Sequence, residues 1–341
     1  MAKPILEIEN LSVDITVPSG TLRAVQNISF EVAKRETLCI VGESGCGKSI
    51  TALSLMNLLP RTATRSVDKL LLDGKDLSGL GERDMSNLRG DAMAMIFQEP
   101  MTSLNPAYTI GNQLEEAMLR HRKVSTAEAR DRAVLLLEKV GITGARGRLG
   151  QYPHQLSGGL RQRVMIAMSL MCDPALILAD EPTTALDVTI QAQILHLLAE
   201  LRQEFDTSLI LITHDLGIVA RVADRVAVMY AGEFVETGTA EQVFNAPSHP
   251  YTQGLLRCIP IPGKTKRGSY LGSIPGIVPN LVGEIVGCHF ASRCPHVSEA
   301  CKTGRIEQRS SFEESHQYRC ILTPKVCAKY LKSELTNGAA A

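Results

Sequence analysis

Apolar and polar residues alternate near the start of the chain, where every second position of residues 11–17 is apolar. A period of two is typical of a β-strand with one buried face. The turn sequence PSG follows, and residues 24–32 continue the strand-like pattern, so antiparallel strands are predicted here. The short, mostly apolar run TLCIV is typical of a fully buried strand, and it leads directly into a glycine-rich stretch.

Helical patterns follow the glycine-rich stretch. SITALSLMNLL predicts a helix that Pro60 ends, and the segment from about residue 88 to 174 is mostly helical in pattern. Two short apolar strands, ALILAD and SLILIT, then flank the helical stretch TIQAQILHLLAELRQEF. Strands that alternate with helices indicate an α/β fold whose mainly parallel sheet carries helices on both faces.

The composition changes near Ala246, where Pro, Gly, Cys and His become frequent. We therefore predict a main domain over residues 1–246, with a helical subdomain at about 90–174, and a small Cys-rich appendage over residues 247–330. The closing sequence TNGAAA predicts a disordered tail over residues 331–341.

The bulk composition excludes several classes of function. Lys and Arg together number 36, and so do Asp and Glu, so no overall charge attracts nucleic acid or an anionic membrane. The N-terminal MAKPILEIEN lacks the apolar stretch of a signal peptide, and no apolar run is as long as a membrane span. The nine Cys are expected to be reduced thiols or metal ligands of a cytosolic protein, so any membrane role requires a partner.

A phosphate-binding loop is predicted at GESGCGKS, which matches G-x-x-x-x-G-K-[ST] between a predicted strand and a predicted helix. Glycines let the backbone wrap around phosphates, and N–H groups at a helix start supply positive potential. Lys48 would reach the β- and γ-phosphates, and the Ser49 hydroxyl would ligate Mg²⁺. The candidate nucleotide-binding residues are Gly42, Glu43, Ser44, Gly45, Cys46, Gly47, Lys48 and Ser49. The loop alone leaves kinases, GTPases and ATPases open.

Two carboxylates end the apolar strand ALILADE. Asp180 would hold Mg²⁺ directly or through water, and Glu181 would orient and deprotonate an attacking water. An acidic turn at a strand end is also common in α/β proteins without catalysis. The phosphate-binding loop upstream favours the catalytic interpretation.

The stretch LSGGLRQR places Ser157, Gly158 and Gly159 at the start of an amphipathic helix, which suits an anion site or an ordinary N-cap. This stretch lies between the phosphate-binding loop and the acidic strand. With these three motifs in this order, the chain resembles the nucleotide-binding subunits of ABC transporters, whose signature is usually LSGGQ. The resemblance covers about residues 5–245. It implies a P-loop fold of the ABC ATPase type, with a mixed sheet, antiparallel N-terminal strands and an inserted helical subdomain. It also implies hydrolysis of ATP with Mg²⁺ in a head-to-tail dimer, where the signature of one subunit completes the ATP site of the other.

Two more residues take roles from this resemblance. Gln98, in IFQEP, matches the glutamine that contacts Mg²⁺ and the attacking water and links catalysis to the membrane subunits. His214, in LITHD, matches the histidine that senses the γ-phosphate. The catalytic candidates are therefore Glu181, His214 and Gln98, and the Mg²⁺ candidates are Ser49, Gln98 and Asp180.

The chain departs from the family pattern at two points. Leu160 stands where the signature has Gln, which removes one polar contact across the dimer; one subtype of peptide-importer ATPases also has an apolar residue there. Family members usually stack an aromatic residue on adenine, but no aromatic residue precedes Phe30. Arg23 or an apolar face would serve instead.

The segments FQEPMTSLNP and SHPYTQGLLRCIP resemble the dipeptide, oligopeptide and nickel branch of ABC importers. The resemblance implies a peripheral ATPase on the cytoplasmic face of the inner membrane that energises peptide import. Its partners would be a second, homologous ATPase subunit, two membrane permeases and an extracytoplasmic binding protein, without nucleic acid. Import of nickel or another small solute is an alternative. A soluble ABC ATPase of translation or DNA repair is another, although residues 49–156 lack the heptads of the repair proteins.

Four cysteines, Cys288, Cys294, Cys301 and Cys320, are separated by five, six and eighteen residues. Four thiolates suit zinc or a [4Fe–4S] cluster, but the spacing matches neither the C-x2-C pairs of zinc sites nor the ferredoxin pattern. Free thiols are therefore a third alternative. The resemblance favours the cluster, because peptide-importer ATPases with this Cys-rich tail include members that bind one.

Overall fold

A computed structural model describes residues 3–184, 186–259 and 272–337. The strands are β1 (Leu6–Val17), β2 (Gly20–Val32), β3 (Thr37–Val41), β4 (Ala63–Ser66), β5 (Lys69–Leu72), β6 (Lys75–Asp76), β7 (Met93–Ile96), β8 (Leu176–Asp180), β9 (Ser208–Thr213), β10 (Arg225–Tyr230), β11 (Glu233–Thr239), β12 (Arg309–Ser310) and β13 (Gln317–Tyr318). The helices are α1 (Lys48–Leu55), α2 (Glu82–Leu88), α3 (Pro100–Ser103), α4 (Ile110–His121), α5 (Thr126–Lys139), α6 (Ala145–Arg148), α7 (Gly158–Ser169), α8 (Val188–Glu204), α9 (Leu216–Val222), α10 (Ala240–Asn245), α11 (Pro250–Arg257) and α12 (Pro324–Asn337).

The chain divides into two compact units, each built from separated stretches of sequence. The first comprises Glu31–Thr37, Leu70–Ile212 and the first described residues up to Glu7. The second comprises Ile8–Phe30, Leu38–Lys69 and the described residues from Thr213 onward. The glycine-rich loop after β3 therefore shares one unit with the Cys-rich segment that the sequence predicts as a separate appendage.

Three parallel strands and a group of helices make up most of the first unit. β8 pairs with β7 on one side and with β9 on the other. Every residue of β8 and β9 is buried, as expected for parallel strands with continuous apolar sequences. Helices α3 to α7 lie between β7 and β8 along the chain, in the segment where a helical subdomain is predicted.

The second unit contains an extended mixed sheet. β3 pairs in parallel with β10, and antiparallel pairs continue the sheet through β11 and β13 to β12. β3 is buried at every position, in agreement with its apolar sequence. β1 and β2 are neighbours in one sheet with only Pro18 and Ser19 between them, so they form the predicted antiparallel pair, because a connection this short cannot join parallel strands.

A segment near residue 282 lies along β2, which is the outer strand of its own sheet. Leu22 and Val282 form an antiparallel bridge. The backbone N–H of Arg23 donates to the carbonyl oxygen of Leu281 at 2.9 Å. The chain beyond the Cys-rich boundary is thus joined by main-chain hydrogen bonds to one of the first strands of the protein.

A buried carboxylate attaches two further C-terminal segments to β11. Glu236 is fully buried, and its carboxylate accepts the backbone N–H of Ser248 at 2.6 Å and that of His249 at 2.9 Å. The Nε2 atom of His316 lies 2.7 Å from the same carboxylate. Each carboxylate oxygen is therefore satisfied, which a buried acid requires.

The last helix begins at Pro324 and continues through residues 331–337, where the sequence predicts a disordered tail. Proline at a helix start and a following run without Gly explain the helix, because Lys, Ala, Leu and Glu favour this conformation. Residues 338–341 lie outside the described residues. Within the described part of the chain, no helix has both the length and the apolar character needed to cross a membrane.

We predict that Glu236→Ala lowers the free energy of unfolding by about 3 kcal/mol, because two backbone N–H groups and His316 lose their buried acceptor. Urea unfolding of the full chain measures the change. Glu299→Ala is the control, since the Glu299 carboxylate forms an exposed pair with Lys302 and such pairs contribute little. Equal transitions for the two variants would contradict the role given to Glu236.

Candidate functional site

The ammonium group of Lys48 is folded back onto the glycine-rich loop. Lys48 begins α1, is 4% exposed, and donates from Nζ to the carbonyl oxygens of Gly42 at 2.9 Å and Glu43 at 3.0 Å. The loop therefore closes into a ring around a buried cation at the N-terminus of a helix. Both features supply positive potential at one place, as a phosphate site requires.

Close backbone packing explains why glycines occupy this loop. A Cβ atom at Gly47 would overlap the carbonyl oxygen of Ala24 on β2, and one at Gly42 would overlap that of Met229 on β10. Gly47 also has a φ of +109°, which L side chains rarely adopt. In contrast, a Cβ atom at Gly45 would meet nothing within 4 Å.

Residues far along the chain hold the second position of the loop. The N–H of Glu43 donates to the Tyr251 hydroxyl at 3.0 Å. The Glu43 carboxylate receives two hydrogen bonds from the Arg293 guanidinium, at 2.6 and 2.9 Å. Tyr251 and Arg293 were not candidates in the sequence, because no local spacing connects them to the loop.

The predicted catalytic acid lies at the carboxyl end of β8 in the first unit. Parallel pairing of β7 with β8 brings Gln98 to the same edge of the sheet, where its Nε2 donates to the Glu181 carboxylate at 3.3 Å. The Thr184 hydroxyl donates to that carboxylate at 2.8 Å. Asp180, the last residue of β8, is 5% exposed. The structure thus brings Gln98 and Glu181 together at one edge of the sheet.

The backbone of Glu181 is strained. Its φ is +43°, although it has a side chain, and its N–H donates to the carbonyl oxygen of Ile212 at 2.9 Å. Non-glycine residues in this region cost about 1–3 kcal/mol and cluster at functional sites. The strain turns the residue out of the strand direction just after Asp180.

Ser157 caps α7 in the first unit. Its hydroxyl oxygen accepts the N–H of Leu160 at 3.4 Å, so the ordinary N-cap function is present. Gly158 and Gly159 form the first turn of the same helix. A capped helix start is also a place where an anion is stabilised, so both interpretations of this stretch apply.

His214 follows β9 directly and is exposed. The neighbouring Asp215 caps α9, because its carboxylate accepts the N–H groups of Gly217 at 2.9 Å and Ile218 at 3.3 Å. This cap fixes the backbone beside His214 and presents the imidazole at the end of the strand. His214 and the glycine-rich loop belong to the second unit, whereas Gln98 and Glu181 belong to the first.

The four cysteines singled out in the sequence line one cavity: Cys288, Cys294, Cys301 and Cys320. Burial first, and the other thiols second, raise the pKa of Cys288 to about 12 and that of Cys294 to about 11. A hydrogen bond with Cys327 lowers the pKa of Cys320 to about 7. Among residues 3–184, 186–259 and 272–337, no three His, Cys, Asp or Glu side chains are arranged to hold a metal ion.

Comparison with protein families gives two matches. Residues 25–184 match the family described as ABC transporter, and residues 235–301 match the family described as oligopeptide/dipeptide transporter, C-terminal region. The first match includes the glycine-rich loop, Gln98, Ser157 and Glu181, and the second includes Cys288, Cys294 and Cys301.

Similar proteins extend over nearly the whole chain. The dipeptide transport ATP-binding protein DppD of Bacillus subtilis is 52% identical over 320 residues, which are 93% of this chain and 94% of that protein. A putative peptide import ATP-binding protein of Brucella abortus is 48% identical, covering 96% of this chain and 99% of that protein. The oligopeptide transport ATP-binding protein AppD of Bacillus subtilis is 49% identical, with coverage of 93% and 96%.

Solved structures share the fold over most of the chain. A dimeric ATP-binding cassette in a post-hydrolysis state bound to ADP and Pi has a TM-score of 0.62 and 26% identity, covering 69% of this chain and 98% of that one. The cbiO1 protein of Clostridium perfringens, part of the ABC transporter complex cbiONQ, has a TM-score of 0.61 and 28% identity, with coverage of 71% and 91%. These likenesses confirm the predicted fold class.

We predict that Gly47→Ala destabilises the protein by about 3 kcal/mol or more, since the new methyl group overlaps a strand carbonyl at an unfavourable φ. Gly45→Ala is the matched control in the same loop. It should cost about 1 kcal/mol, because only the left-handed conformation opposes it. Chemical unfolding of both variants measures the difference, and equal losses would show that the close approach to Ala24 does not constrain the loop.

Proposed function

The chain belongs to the ATP-binding subunits of peptide-importing ABC transporters, and we propose that it hydrolyses ATP to drive the import of di- or oligopeptides. Membrane permeases and a substrate-binding protein complete such a transporter. The main structural support for ATP hydrolysis is the contact between the Gln98 amide and the Glu181 carboxylate, at 3.3 Å. It places a hydrogen-bond donor beside a carboxylate suited to accept a proton.

Lys48, the N–H groups of the loop and Ser49 have separate roles in this proposal. Lys48 moves from the carbonyl oxygens of its own loop to the β- and γ-phosphates, and the loop N–H groups and α1 stabilise the remaining charge. Ser49, Gln98 and Asp180 are the residues that would hold Mg²⁺, because hard oxygen ligands suit this ion. When bound, the ion would supply positive charge that offsets the charge of the phosphates.

Glu181 is the general base of the proposed reaction. Its carboxylate accepts a proton from the attacking water, while Gln98 and Thr184 fix the orientation of that carboxylate. His214 contacts the γ-phosphate from the end of β9. Ser157, Gly158 and Gly159 at the start of α7 bind the γ-phosphate of ATP held by a second subunit.

The proposed partners of this chain are a second ATPase subunit and two membrane permeases. We infer that the second ATPase subunit is a homologous chain with glutamine in place of Leu160, and that two permeases anchor the pair. The chain then acts as a peripheral subunit on the cytoplasmic face of the inner membrane. In this arrangement only one of the two ATP sites contains Leu160.

We predict that Glu181→Gln leaves ATP binding intact but lowers turnover by about 100-fold or more, because the proton acceptor is lost. The assay is phosphate release and peptide uptake in proteoliposomes that contain the partner subunit, the permeases and the binding protein. Glu200→Gln, which changes an exposed acid paired with His196 on α8, is the control and should leave turnover unchanged. Normal hydrolysis by Glu181→Gln would disprove the assignment of the base. ATP-driven uptake of Ni²⁺ in place of peptide would disprove the peptide substrate.

We further propose that Cys288, Cys294, Cys301 and Cys320 hold a [4Fe–4S] cluster. The support is that the four residues line one cavity, and that neighbouring thiolates contribute to the raised pKa values of Cys288 and Cys294. A cluster of this type takes one thiolate per iron, so its ligands need not converge on a single ion. Bound iron would stabilise the thiolates that burial disfavours, and the cluster has no part in ATP hydrolysis.

Protein purified without oxygen should be brown, with absorbance near ~400 nm and bound iron and sulfide. Cys301→Ser should lose most of this iron, whereas Cys258→Ser, which lies outside the four-cysteine set, should keep it. Colourless, iron-free wild-type protein would end the proposal, as would equal iron contents in the two variants.

A further inference from the structure

An acidic residue lies inside the loop that binds the phosphates of ATP. Glu43 is the second residue of GESGCGKS, and its side chain is 31% exposed. An unpaired carboxylate in this position repels a polyanionic ligand, and the repulsion is strong where solvent is partly excluded. Lys48, the cation of the motif, is assigned to the phosphates, so the Glu43 carboxylate needs a separate counter-charge.

Arg293 provides that counter-charge from 250 residues away. Its two terminal nitrogens form a bidentate pair with the Glu43 carboxylate, and its side chain is only 3% exposed. Paired, planar contacts of this kind are among the strongest ionic hydrogen bonds in proteins. The hydrogen bond with Glu43 is the main cause that raises the pKa of Arg293, so the guanidinium stays charged.

The rest of the guanidinium is also fixed. Its Nε donates to the carbonyl oxygen of Pro275 at 2.9 Å, and Nη2 donates to that of Ile274 at 3.1 Å. The guanidinium carbon lies 5.7 Å from the centre of the Tyr230 ring, within the range of a cation–π contact. Arg293 is thus held in place by groups other than Glu43, and it can act as a fixed support for the loop.

An aromatic cluster supports the same place. Tyr230, Tyr251 and Phe290 have ring centres 4.6 to 5.3 Å apart, and the Tyr251 hydroxyl accepts the Glu43 N–H. Both the backbone and the side chain of Glu43 are therefore held by residues beyond position 250. Holding the backbone in this way keeps the first turn of the loop in one conformation.

We propose that Arg293 is a positioning residue for ATP: it neutralises Glu43 and holds the loop so that a polyphosphate binds without repulsion. The inference rests on the proposed function, because it concerns the affinity of that same loop for ATP. It assigns to the C-terminal region a direct effect on nucleotide affinity. The effect acts on binding, so KM for ATP changes while kcat changes little.

Calorimetric titration of the full chain with a non-hydrolysable ATP analogue and Mg²⁺ tests the proposal. Arg293→Gln should weaken binding about tenfold, because it leaves the Glu43 charge beside the phosphates, and the loss should shrink at high salt. The double variant Arg293→Gln/Glu43→Gln should recover affinity to within about twofold of wild type, because no charge is left to repel. If Arg293 served only as a structural brace, the double variant would bind as poorly as the single variant, and that result would overturn the proposal.

Two further variants complete the experiment. Arg293→Lys keeps the charge, so its affinity for the analogue should stay within about threefold of wild type. A loss of affinity equal to that of Arg293→Gln would contradict the neutralisation of Glu43. If Arg293→Gln does not fold, Arg293→Lys provides the test. Arg319→Met is the control for C-terminal packing, because Arg319 is also largely buried and lies 3.8 Å from Glu233, without contact to Glu43. It should bind the analogue like wild type.

Lys48→Ala separates this inference from the proposed function. If Lys48→Ala abolishes binding while Arg293→Gln leaves it unchanged, the nucleotide site stands and the role of Arg293 is rejected. If Lys48→Ala binds the analogue like wild type, the nucleotide site itself is misassigned.

Discussion

Carbonyl oxygens of two strands press against the glycines of the phosphate-binding loop. The oxygen of Ala24 on β2 lies against Gly47, and that of Met229 on β10 lies against Gly42. The N–H of Gly232, just after β10, donates to the carbonyl oxygen of Cys46 at 2.9 Å. Because these contacts are between backbone atoms, a change in either strand is transmitted to the loop. The positions of β2 and β10 therefore constrain the backbone conformation of the loop.

Two buried charges attach the C-terminal region to this arrangement. Glu236 gathers segments near residues 248 and 316 onto β11, and Arg293 contacts the loop itself. A buried charge that loses a partner is costly, so each network favours a single arrangement of the segments that it joins. Hydrophobic contacts alone would tolerate small slips of these segments, whereas directional ionic hydrogen bonds do not. The C-terminal region is thus placed accurately where it meets the loop.

The sequence predicts most of the fold because its strongest signals are contiguous. The glycine-rich loop, the buried strand β8 and the carboxylates that follow it each lie within a few residues, so local spacing identifies them. The family and the fold class predicted from them are confirmed by the comparisons. The roles of Glu181, His214 and the four cysteines stay predictions.

Other features depend on distant residues and have no local signal. The bidentate contact of Glu43 with Arg293 joins positions 250 apart, and no periodicity connects them. The positive φ of Glu181 occurs directly after β8, where its N–H donates to the carbonyl oxygen of Ile212 on β9, and no local sequence signal marks it. The sequence predicts a disordered tail from residue 331 because of the terminal TNGAAA, whereas helix α12 continues to Asn337. The residues before TNGAAA favour a helix, and their signal is local.

The bridge between Leu22 and Val282 has a consequence for solubility. β2 is the outermost strand of its sheet, and an outermost strand offers unpaired N–H and C=O groups to any other chain. Residues 281–283 occupy part of that row with their own main chain, so a second molecule cannot add a strand there. The segment 281–283 of the C-terminal region thereby reduces the part of the β2 edge that is open to aggregation. Shortened versions of the protein that end before this segment would expose the row and tend to self-associate through it.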